Sequence, residues 1–347
     1  MFRLAAFLAC FLYAFHAFSA PDTIPSELTV RYRHDSVRMW DYGAETDGFW
    51  LIEPASPSPD SAHVVVFHHG YGAINPMVYG KWLQHLARQG NIVIFPRYQK
   101  NLLRPSARKF PSMAAKAIRD ALDTLRSGDH VRPKAGPLIM VGHSYGGAIS
   151  AYLGVRYEAY GIPQPEGLLL CAAGTGPLRA ARLRSYKDMP ENTRLLVVIN
   201  DQDKVVGDRF QERIFRTAIH TPFRNLIRQY PDKETPEISA HHNECCSLDE
   251  ALDNGVRNAT IKRSYRHCDT NALDFYGYWK LLDALMDCTR LGNNCHIAFG
   301  NTPEQQFLGQ KPNGNPIRPL QVTLPQKKIA GNQYPRIFSM SSEDCSS

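Results

Sequence analysis

The sequence predicts an α/β protein with a mostly parallel central sheet and helices on both faces. Two observations carry this. Short runs rich in Val, Ile and Leu recur with little apolar–polar alternation, as strands covered on both faces do. Amphipathic helical patterns lie between them, which is the alternation that builds parallel sheets. The runs are His63–Phe67, Asn91–Pro96, Pro137–Val141, Gly167–Cys171 and Arg194–Ile199. Arg224–Tyr230 reads as a last strand.

The intervening helices follow from spacing. Over Pro76–Gln89, Met77, Val78, Trp82, Leu83 and Leu86 fall three and four residues apart and share one face. Ser112–Leu125 repeats the pattern with Ala114, Ile118, Ala121 and Leu125. Tyr145–Tyr157, Asp208–Ile219 and Asn271–Arg290 read alike. Upstream, Leu28–Tyr32 and Phe49–Glu53 are extended runs without a helix between them, so the sheet is expected to begin antiparallel. Residues 300–347 turn to Gly, Asn, Pro and Gln with little periodicity and are expected to form an irregular tail.

The start of the chain reads as something other than fold. Arg3 precedes an apolar run from Leu4 to Phe18, and Ser19 and Ala20 are small residues before Pro21. That order describes a secretory signal peptide over 1–20, leaving one domain over 21–299 and the tail. The apolar run is short for a membrane span. The length suffices for a large core. Lys and Arg total 40 against 33 Asp and Glu, without a dense basic tract or aromatic-basic motif, which argues against nucleic acid as a partner. The basic stretch Lys100–Lys109 reads as a solvated loop.

With Cys10 removed in the leader, seven cysteines remain for an oxidising compartment. Cys171 lies inside an apolar strand and reads as a buried free thiol. Cys245, Cys246, Cys268, Cys288, Cys295 and Cys345 have the number for three disulfides, and sequence does not separate the possible pairings. Cys245 and Cys246 are adjacent, so each is expected to bond a different partner. Their spacing lacks the usual zinc pattern, and no metal is expected.

The chemistry is expected at strand ends. Gly142-His143-Ser144-Tyr145-Gly146 sits between a strand and a helix. In that context Gly-x-Ser-x-Gly is a tight turn that exposes a serine nucleophile at a helix N-terminus. His68-His69-Gly70-Tyr71-Gly72 closes an earlier strand. The backbone N–H groups of Tyr71 and Tyr145 are the expected oxyanion donors. His68 and His69 read as packing residues.

A serine nucleophile needs a base held by a carboxylate, in the order Ser, acid, His for this architecture. Asp201 and Asp203 follow the strand Arg194–Ile199. Asp203 is preferred because it stands just before Val205-Val206, where the loop turns into the next helix. His241 and His242 follow the last strand and are the candidate bases. His220 precedes that strand, and His267 and His296 flank the last helix; they read as structural.

HHGYG at 68–72, GHSYGG at 142–147, NDQDKVV at 200–206 and AHH at 240–242 together resemble the alpha/beta-hydrolase superfamily over about residues 45–290. The likeness is to its secreted esterase and lipase-like members, the relatives of chlorophyllase, cutinase and platelet-activating-factor hydrolase. It implies the alpha/beta-hydrolase fold and carboxylic ester hydrolysis. It implies Ser144, Asp203 and His242 as the catalytic set, since the acid loop in such proteins ends Asp-x-Val-Val and the histidine loop often reads Ala-Asp-His. Here His241 takes the place of that Asp.

The expected partner is a small-molecule or lipid ester, with no cofactor, since no dinucleotide fingerprint or phosphate loop is present. Tyr71, Tyr79, Trp82 and Tyr145 are equally readable as acyl-pocket wall or as core. A serine at the elbow argues against a dehalogenase, which needs aspartate there. A serine peptidase, an acyltransferase or a silent binding domain on the same scaffold are the alternatives.

Overall fold

The computed structural model describes residues 31–43, 48–100, 106–235 and 237–326. The expected leader, Leu28–Val30, part of the basic stretch 100–109 and Cys345 lie outside the described residues.

The strands are β1 (Ser36–Tyr42), β2 (Phe49–Ala55), β3 (Ser61–His68), β4 (Asn91–Pro96), β5 (Arg132–Pro133), β6 (Leu138–His143), β7 (Pro165–Cys171), β8 (Arg194–Asn200), β9 (Arg224–Gln229) and β10 (Gln321–Thr323). They lie in the order β1-β2-β4-β3-β6-β7-β8-β9-β10, and β5 pairs with the start of β3. From β4 to β9 all neighbours are parallel, while β1, β2 and β10 are antiparallel additions. The helices are α1 (Gly80–Arg88), α2 (Phe110–Thr124), α3 (Tyr145–Arg156), α4 (Arg209–Thr217), α5 (Ala259–His267), α6 (Lys280–Leu291), α7 (Cys295–Phe299) and α8 (Pro303–Gln306).

The missing alternation in the strands has a direct cause. Val65, Phe67, Val93, Phe95, Ile139 and Val141 face one core with α1, α5 and α6. Their neighbours Val64, Val66, Ile92, Ile94, Leu138 and Met140 face a second core with α2, α3 and α4. Side chains of a strand alternate sides, and here both sides are dry. Fully burying each such side chain contributes about 1.5–3 kcal/mol, so a polar residue on either face would cost stability.

Several expectations need correction. Arg31 and Tyr32 are not in a strand; the first described strand is β1, a half-exposed edge whose Val37 and Met39 pack on one core. Its alternation is weak because Trp40 faces the other way and packs on the other core. The helix expected over Pro76–Gln89 begins as a 3-10 turn at Pro76–Tyr79 before α1. The one over Asn271–Arg290 begins as a π-helical turn at Asp274–Trp279 before α6. The segment after residue 300, expected irregular, carries α8 and the edge strand β10. Both are too short for periodicity to reveal. Helix α5 was also unread; its N-cap Asn258 accepts from Ile261 N–H at 2.9 Å.

The topology places the site. After β3 the chain runs through α1 to β4 on one side, then returns through α2 to β6 on the other. In open α/β sheets such a reversal marks where a site forms, here at the carboxyl ends of β3 and β6, where His68 pairs with Gly142.

Candidate active site

Ser144 follows β6 immediately and precedes the first residue of α3. Its backbone stands at φ 54° and ψ −119°, a strained conformation for a residue with a side chain. Three backbone hydrogen bonds hold it there. Ser144 N–H donates to the Cys171 carbonyl at 2.9 Å, and the Ser144 carbonyl accepts from Gly174 and Ala148. The flanking glycines are required by space. A Cβ on Gly146 would lie 2.0 Å from the His68 carbonyl oxygen, and one on Gly142 would lie 2.4 Å from that of Gly146.

His242 and Asp203 converge on this serine. The Ser144 hydroxyl lies 2.8 Å from His242 Nε2. His242 Nδ1 lies 2.7 Å from Asp203 Oδ2. The other carboxylate oxygen accepts from the N–H groups of Val205 and Val206 at 2.8 and 3.1 Å. All three residues are buried. The two loops are stitched together beneath them: Gln202 N–H donates to the Ala240 carbonyl, Ala240 N–H donates back to Gln202 Oε1, and Asn200 Nδ2 donates to the His241 carbonyl.

The competing residues lie elsewhere. Asp201 is exposed and 3.6 Å from Arg228. His241, His220, His267 and His296 are exposed. His68 is buried against Ser150, and His69 stacks on Tyr98 with ring centroids 4.1 Å apart.

The loop 69–72 runs beside Ser144. A Cβ on Gly70 would stand 3.4 Å from Ser144 Cβ, and Gly72 takes φ 78° to turn the chain. Asn258, the cap of α5, donates to the Gly72 carbonyl at 2.7 Å and fixes this loop from outside. Tyr145 N–H, the other expected oxyanion donor, is the first of α3. Tyr71 is half-buried, with its ring 6.5 Å from that of Tyr145. Tyr79 and Trp82 are fully buried against Phe67, so their place is the core.

Residues 52–163 match the family model for chlorophyllase. The chain has the alpha/beta-hydrolase fold. The matched segment takes in the loop 68–72 and Ser144 and ends before Asp203 and His242. No curated protein sequence matches the chain.

Two contributors to this hydrolase's site escaped the sequence reading. His143, the variable residue of the elbow, places Nε2 2.8 Å from the His242 carbonyl. A carbonyl only accepts, so Nε2 carries the proton and Nδ1 accepts from Tyr79 O–H at 2.9 Å. The Tyr79 oxygen in turn accepts from Gly70 N–H at 2.8 Å. One chain of bonds thus joins the loop 69–72, the elbow and the histidine loop. No motif marks it, because Tyr79 reads as an ordinary apolar helix position.

The electrostatics agree with this tautomer. Burial, with the neighbouring His242, pushes His143 down to about 3, so it stays neutral. Burial likewise lowers His68 to about 3 and His69 to about 4. For Asp203, burial pushes upward, but the hydrogen bonds from His242, Val206 and Val205 outweigh it and hold the carboxyl below its ordinary value. A charged carboxylate therefore faces the imidazole.

The cysteines depart from expectation. Cys288 and Cys295 form a disulfide joining the end of α6 to the start of α7. Cys171, Cys245, Cys246 and Cys268 are buried thiols. The expected free thiol at Cys171 is found. The expected bonds of Cys245, Cys246 and Cys268 are not formed here, and these side chains pack as small apolar groups within the core.

Proposed function

We propose that this hydrolase cleaves carboxylic esters through an acyl-enzyme on Ser144. The reading rests on one observation: a single buried imidazole, that of His242, bonds both Ser144 Oγ and the Asp203 carboxylate. His242 Nε2 takes the serine proton as Oγ attacks the ester carbonyl. Asp203 holds the proton on Nδ1 and stabilises the imidazolium that forms. The N–H groups of Tyr71 and Tyr145 receive the oxyanion, with the α3 N-terminus adding favourable potential. His242 then gives its proton to the leaving alcohol, and water repeats the sequence on the acyl-enzyme.

The leader-like residues 1–20 and the Cys288–Cys295 disulfide support a mature protein released into an oxidising compartment. Among the described residues no helix is long and apolar enough to cross a membrane.

The test is hydrolysis of a series of p-nitrophenyl esters by the wild type and by Ser144→Ala, with fluorophosphonate labelling in parallel. Loss of both signals in a variant with unchanged circular dichroism is expected. Equal rates in the two proteins would sink the proposal.

A further inference from the structure

The turn that carries the expected oxyanion donor Tyr71 has a specific form. Ala73 N–H donates to the Gly70 carbonyl at 3.0 Å, so residues 70–73 close a β-turn. Gly72, its third residue, takes φ 78°, while Tyr71, its second, does not have a positive φ. That combination is a type II turn. Type I closes the same hydrogen bond with the Tyr71–Gly72 peptide rotated by roughly half a turn, and it is the commoner form. Glycine permits type II without requiring it, because it also adopts negative φ. A second group must select the orientation.

Gln99 is placed to do so. Its Oε1 accepts from Gly72 N–H at 2.7 Å, and the residue is 1% exposed. Gly72 N–H belongs to the peptide that the two turn types orient differently. In the type I form it would point away from Oε1. Gly72 is buried as well, so the rotated peptide would hold its donor away from both this partner and water. Two other side chains hold the flanking peptides: Tyr79 O–H takes Gly70 N–H at 2.8 Å, and Asn258 Nδ2 donates to the Gly72 carbonyl at 2.7 Å. Gln99 acts on the central one.

The sheet explains the placement. β3 and β4 are parallel neighbours, so the segment after β4 emerges beside the segment after β3. Tyr98 uses the same approach, its hydroxyl donating to the His69 carbonyl.

We propose that Gln99 is a positioning residue for ester hydrolysis: it holds the 70–73 turn in the type II form and so keeps Tyr71 N–H aimed at the oxyanion. This role rests on the reading of Ser144 as nucleophile and Tyr71 as oxyanion donor. Gln99 acts through ψ of Tyr71, which differs between the two turn types, about 120° against about −30°. The peptide carrying Tyr71 N–H shares the Cα about which that rotation occurs. A displacement of about 1 Å in such a group costs about 10²-fold in rate.

The test compares wild type with Gln99→Met, which keeps the side-chain length and loses the acceptor. Each is assayed on a p-nitrophenyl ester and titrated with an alkyl boronic acid. The boronic acid forms a negatively charged tetrahedral adduct on the serine and so reads oxyanion stabilisation. kcat should fall about 10- to 100-fold with KM within about threefold, a loss smaller than or equal to that for removing a donor outright. Boronic-acid affinity should fall by a similar factor. A role in folding alone would lower the melting temperature and leave kcat per folded molecule and boronic-acid affinity unchanged, and that result would overturn the proposal.

If Gln99→Met does not fold, hydrogen exchange of the Gly72 amide in the wild type decides. Protection is expected, and exchange at the rate of an open loop would overturn the assignment. The hydrolase reading is scored separately. Equal ester turnover by wild type and Ser144→Ala would sink that reading and the role of Gln99 with it. An active wild type with an unaltered Gln99→Met would sink the role of Gln99 alone.

Discussion

His143 Nε2 donates to the backbone carbonyl of His242 at 2.8 Å, so the residue before Ser144 holds the loop that carries His242. The bond is set by Tyr79 O–H, which donates to the other ring nitrogen, and Tyr79 itself accepts from Gly70 N–H. Tyr79→Phe removes one hydroxyl, leaves the buried Gly70 N–H unpaired and leaves His143 Nδ1 with only the Cys246 thiol, at 3.8 Å. The expected cost is about 1–3 kcal/mol in urea unfolding. kcat should fall more than KM rises, because the loops bracketing Ser144 lose their common tie. Unchanged stability and kcat would remove Tyr79 from this role.

Asp203 and Asp201 are two residues apart but differ in surroundings. Asp203 is buried against His242, whereas Asp201 is exposed near Arg228. Asp203→Asn should lower kcat by about 10⁴-fold, as loss of the tautomer-holding carboxylate does in comparable triads. Asp201→Asn should change it less than about twofold, since an exposed ion pair contributes about 0–1 kcal/mol. Steady-state kinetics on the two variants distinguish the acids, and a reversed order would reassign them.

The same contrast applies to the adjacent histidines. His242→Ala should abolish the fast phase of ester turnover. His241→Ala, at an exposed position, should leave kcat within about a factor of two. A pre-steady-state burst assay reads both.

Gly146 has no room for a methyl group. Alanine there would meet the His68 carbonyl oxygen at 2.0 Å, and that oxygen belongs to β3 and cannot swing away as a flexible side chain does. Gly146→Ala should destabilise the protein by about 3 kcal/mol or more and lower its soluble yield. A thermal melt within a degree of wild type would contradict this geometry.

Three buried histidines make the fold acid-labile. His68 and His143 are lowered to about 3 and His69 to about 4, against an ordinary value of 6.5. The unfolded chain takes up these protons below about pH 6.5 and the folded chain does not. Their contribution is thus fully present above that pH and is lost as pH falls toward 4 and then 3. The slope approaches about 1.4 kcal/mol per pH unit for each histidine. Urea midpoints at pH 4.5 and 7.5 check this; equal midpoints would rule it out.

Much of the architecture was legible because the inner strands are buried on both faces. After their first residues, runs such as Asn91–Pro96 and Arg194–Ile199 have no polar residue to blur them. β1, β5 and β10 were harder, since edge or two-residue strands bury little and carry little pattern. The elbow was legible because Gly142 and Gly146 answer a steric demand within a few residues of Ser144. The residues alone narrowed the histidine to a pair, and only the resemblance favoured His242, because 241 and 242 are neighbours in chain and differ in burial.

The amino-acid sequence by itself determined the α/β class, the strand–turn–helix around Ser144, and a short roster of acids and bases after it. Those properties are local: periodicity, glycine at fixed offsets, and loops following strands. The tertiary structure decided which members meet. The convergence of Ser144, Asp203 and His242 and the relay through His143 and Tyr79 join residues up to 99 positions apart. Contacts over such distances are set by how β6, β7 and β8 align in the sheet and how two loops lock across their ends, and no short-range pattern encodes that.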